Sequence, residues 1–374
     1  MVDWASVFAA PVIPDYSGPN VRGLIPAFLG PAGAPRPSWL PTVAAIAAQV
    51  VLFVVDGLGW QQLQQRRHLA PTLAAMAGGP ITTVAPTTTA TALTSITTGL
   101  TPGEHGLIGY RMDVGGDVLN VLRWYGDKNG DGRRLHEPAR MQPFTPFMGE
   151  PVPVVSKADL EHSAFSAAHL RGARPVGWRV PSSLPVQVGA LLRDGERFVY
   201  AYYDGIDKVA HERGFGAYYD AELVAVDRLV ADVVAQLPSG AVVVVTADHG
   251  QVHVGDNTLP PSPDVLRLVH HSSGEGRFRW LHAKSGAAAE LLAAGTEAHG
   301  DVAWVVSRQQ MLDEHWFGPV VSPPVQTRLG DVALVARADV SFDDPSDHGP
   351  FRLVCRHGSL TGAEVYVPLI AASA

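Results

Sequence analysis

An α/β fold, with a mainly parallel central sheet and helices on both faces, is what this 374-residue chain predicts. Three observations carry that expectation. Valine-rich runs at 50–55 and 241–247 read as strands buried on both faces, because a covered parallel strand loses its polar alternation. Segments of helical period alternate with such runs, the pattern of βαβ units. Asp56 and the Asp248-His249 pair follow two of the runs directly, at the strand ends where open α/β sheets bind ligands.

Taken in order, residues 1–41 are rich in Pro and Gly and form an irregular wrap. A short helix at 42–49 feeds the 50–55 strand, and 60–76 has helical spacing until Gly78-Gly79-Pro80 stops it. A strand at 81–84 delivers the segment 85–99, described below. Periodicity is lost over 110–151, a length at which loops are commonly functional. It resumes with a strand at 152–156, helices at 157–170 and 182–192, the latter opened by Ser182, and a strand at 197–203. The helix at 216–237 carries Leu223, Val226, Leu229 and Val230 on one face and leads into the 241–247 strand. Residues 256–330 form a second excursion, with a strand at 278–283 and a helix at 286–294. Strands at 332–336 and 364–368 are expected to return to the central sheet. The reading is one domain over 1–374, with insertions at about 110–151 and 256–330 and neither repeats nor a linker.

Composition narrows the function. A chain with 46% hydrophobic and 17% charged residues is ordinary for a globular enzyme. Its net charge of -8 argues against a nucleic-acid scaffold, which needs basic stripes, while leaving room for a small nucleotide. Cys355 is the only cysteine, so neither an intrachain disulfide nor a cysteine-based zinc finger can form. The first residues lack a basic, then apolar, leader pattern, and the apolar stretch 43–55 is too short to span a bilayer. A cytoplasmic protein without a membrane role is expected.

The segment 85–99 is the most unusual. Thr88, Thr89, Thr91, Thr94, Thr97 and Thr98 crowd it together with Ser95, although threonine is a mediocre helix former. A helix N-terminus gives a reason, since its free N–H groups and the hydroxyls together favour an anion. One hydroxyl would serve as a nucleophile, activated by metal ions. The metal-binding side chains lie in four short segments: Asp56, the pair Asp207 and His211, the pair Asp248-His249, and His357. Mixed Asp and His donors suit zinc or manganese, and two adjacent ions could clamp attacking and leaving oxygens.

These segments, in this order, resemble the alkaline phosphatase superfamily, specifically its type I phosphodiesterase/nucleotide pyrophosphatase branch. The resemblance covers about 50–110 and 197–370 and includes the loop Gly99-Leu100-Thr101-Pro102-Gly103-Glu104-His105-Gly106. It implies an alkaline-phosphatase-like fold and a metal-dependent hydrolase of phosphodiester or nucleotide pyrophosphate bonds. The family's nucleophile lies ten residues before the Gly of a Thr-Gly step, which places it here at Thr89. By the same resemblance one divalent ion takes Asp207, His211 and His357, and the other takes Asp56, Asp248 and His249. Zinc is expected ahead of manganese. The reaction would pass through a phospho-threonine, with a small phosphate ester, a nucleotide, as substrate. Where the family's phosphodiesterases carry an Asn for a phosphate oxygen, this chain has Tyr110. That departure keeps two alternatives open: a phosphomonoesterase or phosphonate hydrolase of the same superfamily, and a non-catalytic phosphate-binding relative.

Other residues have blander readings. His348 competes with His357 for one ligand place, and the family-like run after Gly358 favours His357. His253, His270 and His271 read as solvated loop histidines, and Asp204 as a carboxylate behind the metal ligands. The stretch 127–132 resembles the start of an EF-hand, but its twelfth place is Pro138, so it reads as a polar turn. Trp124, Tyr125, Phe144 and Phe147 form a small core of their own or, alternatively, stack on a nucleobase.

Overall fold

The computed structural model describes residues 10–31, 33–344 and 352–374. With strands numbered along the chain, the central sheet contains β1 (Gln49–Val55), β2 (Ala77–Thr82), β7 (Pro153–Lys157), β8 (Arg174–Trp178), β9 (Phe198–Tyr203), β10 (Ala241–Thr246) and β19 (Tyr366–Ser373). They lie in the order β2-β19-β10-β1-β9-β7-β8. β1 runs parallel to both β10 and β9, and β7 and β8 extend the parallel part. β19 is antiparallel to β10 and β2, so the sheet is mixed but mainly parallel. Helices Ser183–Arg193 and Ala217–Val234 pack against it and against each other. The valines of β1 and β10 are almost wholly buried, which explains their uninterrupted apolar reading.

Register positions the site. Val54 pairs with Thr246 and Tyr202, and Val55 pairs with Tyr203. Three neighbouring strands therefore end level, and Asp56, Asp204 and Asp248 come just past their tips.

The excursions hold further sheets. β3 (Arg111–Val114), β4 (Asp117–Asn120), β5 (Tyr125–Gly126) and β6 (Gly130–Asp131) form one of four strands. β13 (Val269–Glu275), β14 (Phe278–Ala283), β15 (Ala303–Ser307) and β16 (Val332–Ala336) form another, in the antiparallel order β13-β14-β16-β15. Two-residue ladders join β11 (Val252–His253) to β18 (Cys355–Arg356) and β12 (Thr258–Leu259) to β17 (Ser341–Phe342).

The structure departs from the sequence expectation at identifiable places. The 332–336 strand exists but does not rejoin the central sheet. Ala333 and Val335 pack into one outer core with Phe278 and Trp280, while Val332, Leu334 and Ala336 pack into another with Leu281 and Leu291. Burial on both faces gave it the look of a central strand. The 60–76 helix breaks into Trp60–Gln65, a 3₁₀ turn and Pro71–Ala75, because Pro71 starts a helix and cannot continue one. The 157–170 helix shortens to Ala164–His169, where Ser163 accepts from Ser166 N at 3.0 Å. Among the described residues no helix is long and apolar enough to cross a membrane.

Candidate active site

The threonine segment is a helix, Thr89–Thr98, with Thr88 as its N-cap. Its residues are all buried, so every hydroxyl needs a partner. Thr94, Thr97 and Thr98 donate to carbonyls four residues back at 2.7, 3.0 and 2.6 Å. Thr91 Oγ1 accepts from Gly109 N, and Ser95 Oγ lies 2.8 Å from His105 Nε2. His105 Nδ1 accepts from Leu107 N, so its other nitrogen holds the proton and donates to Ser95. Burial, then Arg328, pushes His105 down to about 3, consistent with that neutral ring. Thr89 differs from its neighbours: its Oγ1 meets His249 Nε2 at 3.1 Å, at the first position of the helix.

Around Thr89 the strand tips converge. His249 Nε2 is 3.5 Å from Asp56 Oδ1 and 3.5 Å from Asp248 Oδ2. On the Gly205–Arg213 helix, His211 Nε2 lies 3.2 Å from Asp207 Oδ1, one helical turn away, and His357 Nε2 lies 4.0 Å from the same oxygen. The His249 and His357 rings stack with centroids 3.7 Å apart. Gly57, at φ +73°, lets the chain turn directly after Asp56; a Cβ there would come 3.0 Å from the Asp207 Cα.

All three histidines are oriented alike. Nδ1 of His211 meets Cys355 O at 2.7 Å, Nδ1 of His249 meets Gly250 O at 3.1 Å, and Nδ1 of His357 meets Thr87 O at 2.8 Å. A carbonyl only accepts, so each Nδ1 carries hydrogen and Nε2 is the nitrogen that each ring turns inward. The carboxylates are anchored as well. Asp56 Oδ2 accepts from Tyr202 OH, Asp248 Oδ1 from Gly57 N and His249 N, and Asp207 Oδ1 from Gln251 Nε2. Burial, then Asp248 and Asp207, pushes the Asp56 carboxyl well above its usual range. Burial would raise Asp207 too, but His211, then His357 and His249, outweigh it and hold it low. Burial and the other two rings depress His357.

These residues fit divalent cations. Asp56 Oδ1 and Asp248 Oδ2 are buried without a hydrogen-bond partner among the described residues, and both face His249 Nε2. Buried carboxylate oxygens this close to one another are costly unless a cation lies between them. Ligand atoms of Asp207, His211 and His357 lie within 4.8 Å of one another, as do those of Asp56, Asp207 and His249. Asp207 thus touches both groups.

A cavity of about 260 Å³ opens beside Thr89, Asp56 and Asp207. Leu93, Leu122, Leu160 and Phe165 give it an apolar wall, and Lys208, paired with Asp204, stands at its edge. Tyr110 is half-buried, its carbonyl accepting from Val121 N at 2.8 Å, and it does not line this cavity. His348 lies outside the described residues. Trp124 and Phe147 are buried, Phe147 edge-on to Tyr200, while Tyr125 and Phe144 are exposed; none of the four lines the cavity. Asp127 is taken by Arg111 at 2.6 Å, which leaves the polar-turn reading in place. His253 is exposed on β11, near Cys355. The solvated-loop reading fails for His271, which sits in β13 against Asp113 because strand pairing carries it inward.

Sequence reasoning missed Tyr202, Gln251 and Phe165. Tyr200 and Tyr202 alternate along β9, and that period of two was the available sign that Tyr202 faces the site.

Residues 50–360 match the family model of type I phosphodiesterase / nucleotide pyrophosphatase. No curated protein matches the chain. Among solved structures, human ectonucleotide pyrophosphatase / phosphodiesterase 5 is 14% identical with a TM-score of 0.66, covering 87% of this chain and 88% of that one. An inactive form of the murine protein in complex with AMP is 12% identical, with a TM-score of 0.65 over 87% and 88% of the two chains. Phosphonoacetate hydrolase from Sinorhizobium meliloti 1021, in complex with phosphonoacetate, is 17% identical, with a TM-score of 0.61 over 87% and 90%.

Proposed function

Because the chain belongs to the type I phosphodiesterase/nucleotide pyrophosphatase family of the alkaline phosphatase superfamily, we propose that it hydrolyses phosphodiester or nucleotide pyrophosphate bonds through a phospho-threonine at Thr89. The observation that carries the reading is Thr89 Oγ1 at the start of a helix, 3.1 Å from His249 Nε2 and beside two buried carboxylate oxygens without partners.

Asp207, His211 and His357 would hold one divalent ion, and Asp56, Asp248 and His249 the other, with zinc favoured by the mixed nitrogen and oxygen donors. Such ions, when bound, acidify the threonine hydroxyl and neutralise charge on the phosphoryl oxygens. The rest follows from the chain itself. The first-turn N–H groups of Thr89–Thr98 favour negative charge at Thr89. Thr89 Oγ forms a bond to phosphorus as the bond to the leaving oxygen breaks in line, and the hydroxyl proton passes to solvent. Water then attacks phosphorus, the Thr89 Oγ–P bond breaks, and the hydroxyl is regenerated. Tyr202 and Gln251 hold Asp56 and Asp207 in place throughout.

The cavity supports an organic group on the phosphate. At about 260 Å³ it is small for a ligand site and takes one ring system against Phe165 rather than a long chain. A phosphonate with an anionic arm is the second reading, favoured by Lys208, the one Lys or Arg that lines that cavity among the described residues.

The test is a panel of nitrophenyl phosphodiester, nitrophenyl phosphate, nucleotide pyrophosphate and phosphonoacetate with zinc- or manganese-loaded protein. Diester or pyrophosphate turnover that disappears in Thr89→Ala, with metal content unchanged, is the expected result. Full activity in Thr89→Ala ends the nucleophile assignment. Metal bound with no hydrolysis of any ester leaves a phosphate-binding relative.

A further inference from the structure

A second set of metal-type side chains converges away from Thr89, between the two stretches read from sequence as insertions. Asp113 lies on β3, His271 on β13 and His282 on β14, and one ligand atom from each falls within 4.8 Å of the others. His271 and His282 are direct cross-strand partners. Their imidazoles are nearly parallel, 4.1 Å apart with 9° between planes. His271 Nε2 contacts Asp113 Oδ2, and His282 Nδ1 faces the same oxygen at 3.8 Å.

Asp113 and His282 are held from behind. Gly116 N donates to Asp113 Oδ1 at 2.8 Å, which turns Oδ2 toward the rings. Ser273 Oγ lies 2.9 Å from His282 Nε2, which fixes Nδ1 as the nitrogen presented to Asp113. That is the arrangement by which outer partners orient a metal-ligating histidine.

Hydrogen bonding does not account for the geometry. At 3.8 Å, His282 Nδ1 is beyond hydrogen-bond reach of Asp113. One carboxylate oxygen thus faces two stacked imidazoles, an arrangement that a cation between the three ligand atoms would satisfy.

We propose that Asp113, His271 and His282 bind a divalent ion, zinc or one of similar preference, at a site separate from the one around Thr89. Two imidazoles and one carboxylate are a zinc-type donor set, and the fourth position falls to water. The ion acts as a clasp. It joins the β3–β6 sheet to the β13–β14 hairpin, whose far end packs Glu275 against Gly358, next to His357.

The expected ion count takes two ions at the Thr89 cradle from the proposed function, whereas the anomalous peak tests this site by itself. Protein equilibrated with micromolar zinc and freed of excess should hold three ions per chain, falling to two in His271→Gln/His282→Gln. That variant should still hydrolyse the substrate found for the wild type. Anomalous scattering at the zinc edge from wild-type crystals should place one peak between Asp113 and the histidine pair. Two ions in the wild type, a third ion retained by the double variant, or no peak at this position would overturn it. Binding only at millimolar zinc would also overturn it. If the double variant does not fold, the wild-type stoichiometry and anomalous map decide alone. A protein with two ions and Thr89-dependent turnover would keep its proposed function and lose the clasp.

Discussion

Around Thr89, three histidines give Nδ1 to backbone carbonyls of Cys355, Gly250 and Thr87, whereas His282 on the outer hairpin is set by the Ser273 hydroxyl. The carboxylates differ in the same sense. Asp56 and Asp248 follow the tips of two adjacent parallel strands, while Asp113 reaches its histidines only because β3 packs beside β13. Main-chain anchors cannot be lost by substituting one side chain, and strand tips in register fix donors with little freedom. Such rigidity is what transition-state stabilisation requires. Side-chain anchors on two separate sheets suit a device that holds surfaces together. The contrast therefore separates chemistry from fastening, and it can be attacked from either end.

The sharpest attack is Asp56→Asn. If the cluster around Thr89 is a metal cradle, the variant should lose about 10³-fold or more in kcat/KM. Metal-stripped Asp56→Asn protein should nevertheless melt above the metal-stripped wild type, because a carboxyl whose ionised form burial, Asp248 and Asp207 disfavour is replaced by a neutral amide. Calorimetry with and without chelator reads both. A lower melting temperature for the stripped variant would mean that the carboxylate holds the fold rather than a cation. Next in size is Tyr202→Phe, which removes the donor to Asp56 Oδ2 without changing ring volume. A loss of about 10–100-fold in metal affinity is expected, from the usual worth of such outer partners. Unchanged affinity by metal titration would show that the strand tip alone orients Asp56.

Why one cluster was legible in the sequence and the other was not follows from how each is built. Asp56 and Asp248-His249 stand directly after valine-rich strands, so the rule that parallel sheets bind ligands at their C-terminal ends found them. Asp207 and His211 sit one helical turn apart, a spacing visible in one dimension. Thr89 among its neighbouring hydroxyls needed the family resemblance, since only the fold shows which of them meets His249. The outer cluster left no such mark. Val269–Glu275 reads Val-His-His-Ser-Ser-Gly-Glu, with no apolar alternation to announce a strand, and Asp113 is 158 residues from His271. The 332–336 strand was assigned to the wrong sheet for a related reason: two-sided burial looks the same wherever it occurs.

His169 supplies a control for the carbonyl anchor. Its Nδ1 lies 2.8 Å from Phe165 O, as in the central histidines, but it belongs to none of the metal-type groups among the described residues. Burial pushes it down to about 4. Between pH about 6.5, its unfolded value, and about 4 the unfolded chain binds a proton that the native state refuses. The stability linked to this neutral ring is thus intact above about 6.5 and is lost as pH falls toward about 4, by up to about 3 kcal/mol. Denaturant melts of His169→Gln should show a shallower fall across that window, in the same way with and without zinc. A zinc-dependent difference would mean that the anchor alone recruits metal.

The smallest expected effect falls on the outer cluster. Ser273→Ala removes the hydroxyl behind His282 Nε2 and leaves Asp113, His271 and the backbone untouched. Zinc affinity at that site should weaken by about tenfold, the low end for an outer partner, because the ring keeps its place but gains freedom to turn. Turnover at saturating metal should not change, since no atom of Ser273 lies among the groups gathered at Thr89. Competition titration with a chromophoric chelator resolves the separate affinities and shows whether that of the outer site alone moves. Should turnover fall with it, the two clusters are coupled through Glu275 and Gly358, and fastening the outer sheets is then part of shaping the catalytic rim.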